Sequence, residues 1–443
     1  MPAWRPVHRR TRSRGPLTLA LDIARRYSDP ALVERAVKSA RAQSSEPQSI
    51  YWRPEGLAQG DAGIALMYGY FDACFPDQGW DRVAHGWLER AAHGAANAAR
   101  LPNSLFEGVS GLAFAVAYLS RGGRRYRNLL GNLHEHVVAQ AHIDSESLPP
   151  AATAGALPFL MWDVIAGLTG AGVYLLTRND QAALEPILRC LIDMTHDRSG
   201  LPGWHTAPQM GGSWLRAAYP HGHLNCGLAH GIPGPLALFS LARCAGVELP
   251  GLEAAIDRIA NWLTAHRLQD RWGPNWPSAV PLVLQENRLS VGVCDGLSAA
   301  HAGWCYGSPG VARALWYAGC ARRNRSYAAL ALDSMHAVMR RPGHAQGLSS
   351  PAMCHGFAGL LCTTLRFRHE SGDARFSRFA RRLVRTIETL HEPDTLLGYR
   401  TVEPGGARID QAGLLDGAPG VAMALLAAST AIMPSWDRIF LLS

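Results

Sequence analysis

Five side chains that can bind metal or exchange protons stand in the same kind of place along the chain, just ahead of a glycine. They are Asp163, His230, Cys305, Cys354 and His355. Two cysteines and a histidine form a common zinc ligand set, and three protein ligands leave a fourth position open for water or substrate. A Cys-His dipeptide alone is more often structural. Because all five residues share one placement, we favour a metal centre with a carboxylate and an imidazole beside it.

The glycines belong to a phrase that recurs along the chain, Gly-x-x-Gly followed by a small or apolar run. Its seven copies begin at Gly60, Gly108, Gly167, Gly231, Gly307, Gly356 and Gly417. Successive copies start 48 to 76 residues apart, which is room for two helices and their connections. More polar amphipathic stretches lie between them, for example 252–269 and 376–392. We therefore predict one buried helix and one outer helix in each repeat.

This repetition determines the predicted fold class. Strand signals are sparse, so we expect an all-α protein, and no terminal repeat is specially polar, so we expect a closed ring of helix pairs. Residues that precede equivalent glycines then lie on one face of the ring. The adjacent helix N-termini carry partial positive charge, which favours thiolates and developing oxyanions.

Composition narrows the functional classes. The chain has 443 residues and a formal net charge of +8. Arginine supplies nearly all of the positive charge, since Lys38 is the only lysine, so the charge does not indicate nucleic-acid binding. The basic cluster RPVHRRTRSR near the N-terminus is expected to be a solvated arm. No apolar core of a signal peptide follows it, and the cysteine count of nine is odd, which predicts a reducing, cytoplasmic location.

One segment has the length of a membrane span. Residues 154–177 carry a single charge, and a transmembrane helix there would bury Asp163 at a cost of about 2.5 to 3.5 kcal/mol. Since the segment contains one of the repeated glycine phrases, we prefer a buried helix with a polar residue at its start.

The other cysteines and histidines divide into two groups. Cys244, Cys320 and Cys362 fall within apolar helical runs and are expected to be packing residues. Cys226 lies in the loop PHGHLNCGLAHG, whose His221 and His223 are competing candidates for metal binding. Histidines in such a loop are more often structural.

Three motifs, NCGLAHGIPG, WCYGSPGVA and CHGFAGLL, together resemble the lanthionine synthetase C family of lantibiotic cyclases. WDVIAGLTG resembles the family's acidic segment, and the similarity runs from about residue 50 to the end. The resemblance implies an α,α-toroid with seven inner and seven outer helices. We therefore expect a basic arm and leading helix over 1–46 and one toroid domain over 47–443, with an excursion within 120–160.

The resemblance also assigns roles to residues. Cys305, Cys354 and His355 match the family's ligands for one zinc ion, and His230 matches its catalytic acid or base. Asp163 matches the nearby acidic residue, and Tyr306 matches the tyrosine after the first metal-binding cysteine. In nisin-type members an arginine stands four residues before that cysteine, whereas here the residue is His301. Either His301 substitutes for the arginine or it only fills space.

The implied reaction is ring closure in a dehydrated ribosomal precursor peptide that carries a leader. A cysteine thiol adds to dehydroalanine or dehydrobutyrine, which forms a lanthionine or methyllanthionine thioether. Metal coordination deprotonates a thiol whose pKa is otherwise about 8.5. The resemblance further implies a separate dehydratase and an exporter as partners, at most peripheral membrane association at the inner face, and no nucleic acid.

Three alternatives remain at this point. The same zinc chemistry serves a relative that adds glutathione to dehydrated residues in proteins. A zinc-stabilised toroid can also act as a peptide-binding scaffold without catalysis. A hydrolase of the same fold would need a facing pair of carboxylates, for which Asp163 and Asp416 are the candidates, although nothing in the sequence pairs them.

Overall fold

The structure is a computed structural model that describes residues 3–7, 15–153, 156–403 and 405–443. Most of the predicted basic arm falls on residues 8–14, and a part of the expected excursion falls on 154–155. Both stretches lie outside the described residues. The predicted division at residues 46 and 47 therefore stays a prediction.

Helices make up most of the described chain. Their bounds are α1 Pro16–Tyr27, α2 Pro30–Gln43, α3 Asp61–Cys74, α4 Trp80–Asn97, α5 Val109–Leu119, α6 Arg127–Thr153, α7 Leu168–Thr177, α8 Gln181–Met194, α9 Ser213–Ala218, α10 Pro233–Cys244, α11 Leu252–Ala265, α12 Ser308–Arg322, α13 Arg325–Arg340, α14 Gly343–Gln346, α15 Phe357–Ser371, α16 Ala374–Thr389 and α17 Ala418–Ser429. No described helix is long and apolar enough to cross a membrane. The glycine phrase within 154–177 starts α7, which is only 10 residues long.

Strands are short and pair only in antiparallel fashion. They are β1 Asp197–Arg198, β2 Leu201–Pro202, β3 His223–Asn225, β4 Leu268–Asp270, β5 Gly273–Asn275, β6 Ala279–Gln285, β7 Arg288–Val291, β8 Thr401–Val402 and β9 Arg408–Ile409. The largest sheet has the order β3-β6-β7, with His223 opposite Pro281 and Leu282 opposite Val291. Five of the nine strands lie between α10 and α12 or directly before α10, so this part of the chain carries most of the non-helical structure.

The seven glycine phrases each start a helix, as the repeats predict. These glycine-led helices are α3, α5, α7, α10, α12, α15 and α17. Six begin directly after the first glycine of the phrase, and α10 begins two residues after Gly231. In α17 every residue from Ala418 to Ala428 is buried. The glycine-led helices therefore form the core.

Amphipathic helices accompany them. Six of these follow a glycine-led helix in the chain, namely α4, α6, α8, α11, α13 and α16. The seventh is α1, which packs against α17. In α16 the buried residues Phe376, Phe379, Ala380, Leu383, Val384 and Ile387 recur with a helical period and form one apolar face. The described residues thus contain seven helix pairs, the number expected from the sequence.

The second glycine of the phrase is required by a close backbone approach. A Cβ atom there would lie 2.2 to 2.4 Å from the carbonyl oxygen of the residue six positions earlier, at Gly63, Gly170, Gly310 and Gly420. No side chain fits at that distance. The loop ahead of each of these helices therefore folds back against the first turn of its own helix, which fixes the residues in between.

The chain divides into two compact units. The first comprises Met1–Pro102, Phe106–His134 and Leu348–Ser443. The second comprises Asn103–Leu105 and Glu135–Gly347. The second unit contains Asp163, His230 and Cys305, whereas the first contains Cys354 and His355.

Candidate functional site

His230 and Asp163 form a hydrogen-bonded pair in the second unit. The imidazole Nδ1 lies 2.6 Å from Asp163 Oδ2. The side chain of Asp163 is fully buried, while that of His230 is 28% exposed. Because the carboxylate engages Nδ1, the other ring nitrogen, Nε2, is the atom with which His230 can exchange a proton.

The loop before α7 holds Asp163 in place. Its Oδ1 accepts hydrogen bonds from the backbone N–H groups of Ala166 at 2.7 Å and Gly167 at 2.9 Å. Oδ2 is thereby left to face the imidazole. The edge of the Phe159 ring packs on His230, with 5.3 Å between ring centroids. A buried carboxylate, two backbone donors and an aromatic wall together fix the orientation of one histidine ring.

The loop before α10 also contacts the loop before α12. The backbone N–H of Ala229 donates to the carbonyl of Cys305 at 3.3 Å. Asn225 Nδ2 donates to the Tyr306 hydroxyl at 3.1 Å, and Asn225 Oδ1 accepts from the backbone N–H of Gly227 at 2.9 Å. The second unit therefore brings His230, Asp163, Cys305 and Tyr306 into one site.

Close backbone packing explains why the loops before α10 and α12 lie side by side. A Cβ atom at Gly227 would lie 2.6 Å from the Cys305 carbonyl oxygen and 2.6 Å from the Tyr306 ring, so only glycine permits the approach of the two loops. Tyr306 and His230 face each other with 6.5 Å between ring centroids. Cys305 itself is 5% exposed.

His301 also lies in this site. Its Nε2 is 3.7 Å from Cys305 Sγ, and its ring meets the Tyr306 ring edge-on at 6.4 Å. The side chain is half-buried. His301 therefore contacts a predicted metal ligand, and its role stays a prediction.

In the first unit, Cys354 and His355 stand at the start of α15. The backbone N–H of Cys354 donates to the Leu415 carbonyl at 3.0 Å, which fixes the loop. His355 Nδ1 lies 3.7 Å from Asp416 Oδ1. A histidine that ligates a metal commonly presents its other ring nitrogen to a carboxylate. The Asp416 carboxylate near this imidazole is compatible with a ligand role for His355.

The donor chemistry fits as well. Cys305, Cys354 and His355 offer two sulfurs and one imidazole nitrogen, a set that suits zinc. Cys305 is buried and the other two are half-buried. Neither thiol is part of a disulfide in the structure.

Sequence reasoning missed several residues. Asn225, which positions Tyr306, and Asp416 as the partner of His355 were not predicted. Tyr51 is a third case, since its hydroxyl donates to Glu107 at 2.6 Å, and burial together with this carboxylate raises the pKa of the phenol. Asp416 and Glu107 each stand directly before the first glycine of a phrase, as His230 does. That signal was available in the sequence.

The loop histidines and Cys226 have structural environments. His223 is buried, its ring stacks on Tyr219 with 4.8 Å between centroids, and burial lowers its pKa to about 4. Cys226 is fully buried, which raises the pKa of its thiol, whereas His221 is exposed.

The prediction that Cys244, Cys320 and Cys362 all pack in the core was wrong for two of them. Cys362 is buried, but Cys244 and Cys320 are exposed. Cys244 is the last residue of α10, and Cys320 lies in the last turn of α12. Both thiols are therefore exposed because they lie at the C-terminal ends of their helices, outside the packed core.

Comparison with known proteins gives consistent results. The family model for lanthionine synthetase C-like proteins matches residues 51–441. The nisin biosynthesis protein NisC of Lactococcus lactis subsp. lactis is 25% identical over 333 residues, which cover 73% of this chain and 76% of that protein. The solved structure of a nisin cyclase matches with a TM-score of 0.74 at 22% identity, over 93% of this chain and 97% of that chain.

These matches test two of the predictions made from the sequence, the fold class and the family. The structural match confirms the all-α fold of the α,α-toroid class. The family match covers nearly the whole chain and agrees with the motifs around His230, Cys305 and Cys354. This protein belongs to the lanthionine synthetase C-like family.

Proposed function

We propose that the protein is a zinc-dependent lanthipeptide cyclase. It joins cysteine thiols of a dehydrated precursor peptide to dehydroalanine or dehydrobutyrine and so forms lanthionine or methyllanthionine rings. The observation that carries the proposal is the His230–Asp163 pair, 2.6 Å apart, in the same site as Cys305 and Tyr306. Family membership and the name of the relative, a nisin cyclase, support the same reaction.

Cys305, Cys354 and His355 would hold one zinc ion. Zinc bound by these residues would keep a substrate thiol deprotonated, and therefore nucleophilic, at neutral pH. The Asp416 carboxylate beside the His355 imidazole supports a ligand role for this histidine.

The overall reaction adds S–H across a carbon–carbon double bond. Sulfur bonds to the β-carbon, and a proton goes to the α-carbon. His230 moves this proton through Nε2, while Asp163 holds Nδ1 and stabilises the imidazole when it is protonated. Tyr306, whose hydroxyl is fixed by Asn225, positions the reacting residue of the peptide. The side chain of His230 is 28% exposed, and the peptide reaches the imidazole from this exposed side.

The partners and the location belong to the same proposal. A cyclase acts on residues that are already dehydrated, so a separate dehydratase must supply its substrate. We propose that the protein works in the cytoplasm with that dehydratase and with an exporter, at most peripherally bound to the inner face of the membrane. Its peptide substrate carries a leader segment.

Zinc content is the first test, measured by elemental analysis of the purified protein. We expect one equivalent in the wild type and its loss in Cys305→Ala and Cys354→Ala, together with cyclisation. Cys320→Ala is the matched control, because this exposed thiol belongs to no predicted site and its variant should keep both properties. Zinc retained in both ligand variants would remove the proposed ligand set.

A second variant separates the metal from proton transfer. His230→Ala should keep zinc but lose cyclisation of a dehydrated peptide by about 100- to 10,000-fold. The readout is the loss of free thiols and the appearance of thioether rings by mass spectrometry. Offering glutathione with a dehydrated protein in place of the precursor peptide identifies the glutathione-adding alternative. Full zinc with no thiol consumption in either assay would indicate a peptide-binding scaffold.

A further inference from the structure

His301 approaches Cys305 in a way that the local fold enforces. The two residues are four apart in the loop before α12, and Nε2 lies 3.7 Å from Sγ, within the range for a hydrogen bond to sulfur. The edge-on contact with Tyr306 limits rotation of the imidazole. One nitrogen of a histidine thus faces one predicted metal-binding sulfur.

The backbone around His301 is tightly held. The N–H of Ala302 donates to the Gln346 carbonyl at 2.7 Å. A Cβ atom at Gly307, whose φ is 92°, would lie 2.0 Å from the His301 carbonyl oxygen. A Cβ atom at Gly347, whose φ is 66°, would lie 3.2 Å from the His301 Cβ atom. The position of the imidazole therefore follows from three backbone constraints in the same unit.

The proposed reaction suggests a role for the contact between His301 Nε2 and Cys305 Sγ. The ligand set includes two cysteine sulfurs of the protein, Cys305 and Cys354, and the substrate brings another sulfur to the same place. A dehydroamino acid accepts sulfur from any of them, and addition of Cys305 would inactivate the enzyme. A hydrogen bond to a ligand sulfur withdraws electron density from it and makes it a poorer nucleophile.

We infer that His301 donates a hydrogen bond from Nε2–H to Cys305 Sγ and thereby protects this sulfur from reaction with the dehydrated substrate. His301 is a positioning residue, because it acts through Cys305 and not on the peptide. The inference rests on the proposed metal centre. It gives the chain a means to direct the reaction to the sulfur of the substrate.

The same distance also fits a different role. Two donors of one tetrahedral zinc ion, with bonds of about 2.3 Å to sulfur and about 2.0 Å to nitrogen, stand about 3.5 Å apart. A glutamine side chain separates the two roles. Its amide nitrogen can replace Nε2 as a hydrogen-bond donor, but it is a poor zinc ligand. His301→Gln should therefore restore a hydrogen bond but not a metal bond.

Acrylamide is the probe for the experiment. Like dehydroalanine, it accepts sulfur at its β-carbon and takes a proton from water at its α-carbon. Zinc-loaded wild type, His301→Ala and His301→Gln are treated with it, and modification of Cys305 is followed by peptide mass spectrometry. Zinc affinity is measured alongside by competition with a chelator. His196→Ala, which removes an exposed histidine of the same unit, is the matched control.

The expected pattern is specific. Cys305 is modified severalfold faster in His301→Ala than in the wild type, and zinc affinity falls about 10-fold. His301→Gln and His196→Ala behave like the wild type. If Cys305 in His301→Ala is modified at the wild-type rate, the inference is overturned. If His301→Gln has the same lowered zinc affinity as His301→Ala, the inference is also overturned, and His301 is instead a zinc ligand. Absence of zinc from the wild type contradicts the proposed function, and with it this inference.

Discussion

Two buried aspartates, one in each compact unit, have contrasting partners. Asp163 is fully buried and bonds to His230, whose side chain is 28% exposed. Asp437 is 1% exposed and bonds to Arg366, whose side chain is only 2% exposed. The first pair has an accessible face, whereas the second is closed on all sides. Both carboxylates are buried, so burial does not distinguish the two pairs, whereas the exposure of the partner side chain does.

The chemistry of the partners agrees with this distinction. Arg366 on α15 donates to both carboxylate oxygens of Asp437, at 2.6 and 2.7 Å, and to the Pro434 carbonyl at 3.0 Å. An arginine stays charged at any physiological pH, so this pair cannot exchange protons. It fastens the C-terminal segment to α15. A histidine, in contrast, changes charge near neutral pH.

The largest expected effect is on the accessible pair. In Asp163→Asn the side-chain oxygen can still accept from Ala166 and Gly167, but an amide N–H then faces His230 Nδ1. This forces the imidazole into the other tautomer, and cyclisation should fall by about 10,000-fold, as in the corresponding change of a Ser-His-Asp triad. Zinc content should be unchanged. A rate within a factor of 10 of the wild type would show that the orientation of His230 does not matter.

The next effect is on the closed pair and concerns stability. Arg366→Met leaves Asp437 buried without its partner, which should lower the free energy of unfolding by about 3 to 5 kcal/mol. Denaturant unfolding measures this loss. Adding Asp437→Leu to the same protein should recover much of it, because no charge is then left unpaired. Zinc content at low temperature should match the wild type, and loss of zinc from the folded variant would contradict a purely structural role.

The smallest effect concerns His223, a buried histidine of the second unit. Burial lowers its pKa to about 4 from the ordinary value of 6.5. Since the folded state binds this proton less readily than the unfolded state, stability is lost as the pH falls from 6.5 to 4. The loss amounts to at most about 3 kcal/mol. It is absent above pH 6.5.

His223→Phe should flatten this dependence, which is measured by urea unfolding at several pH values. Phenylalanine keeps the aromatic contacts with Tyr219 and Phe159 and cannot bind a proton. His196→Phe is the control, because His196 is exposed and its removal should leave the slope unchanged. Equal slopes for the wild type and His223→Phe would mean that other groups set the acid sensitivity.

The sequence predicted the fold because its repeats are local. Each glycine phrase and the run after it specify a buried helix within about 20 residues, so the number of helix pairs could be counted directly. The same repeats selected the candidate site residues ahead of the glycines, although Glu107, which also precedes a phrase, was passed over. Exposure of Cys244 and Cys320 was missed because an apolar run does not reveal where a helix leaves the core.

Individual contacts between distant loops were only partly predicted. The proximity of Asp163 to His230, across 67 residues, was expected from the repeats, whereas the hydrogen bond from Asn225 to the Tyr306 hydroxyl, across 81 residues, was not. Such pairs depend on which loops become neighbours after folding. The pairing of β3 with β6 is a similar case, since these two strands lie far apart in the chain.

The close approach of the second glycine to the carbonyl six residues earlier has an evolutionary consequence. At Gly63, Gly170, Gly310 and Gly420 it makes the shape of the preceding loop depend on the glycines more than on the side chain in front of them. At the seven positions directly before the first glycine the chain carries six different residue types, Gln59, Glu107, Ala166, His230, Tyr306, His355 and Asp416. Mutation can therefore exchange chemical groups at these positions while the scaffold stays intact, so one architecture can diversify its chemistry.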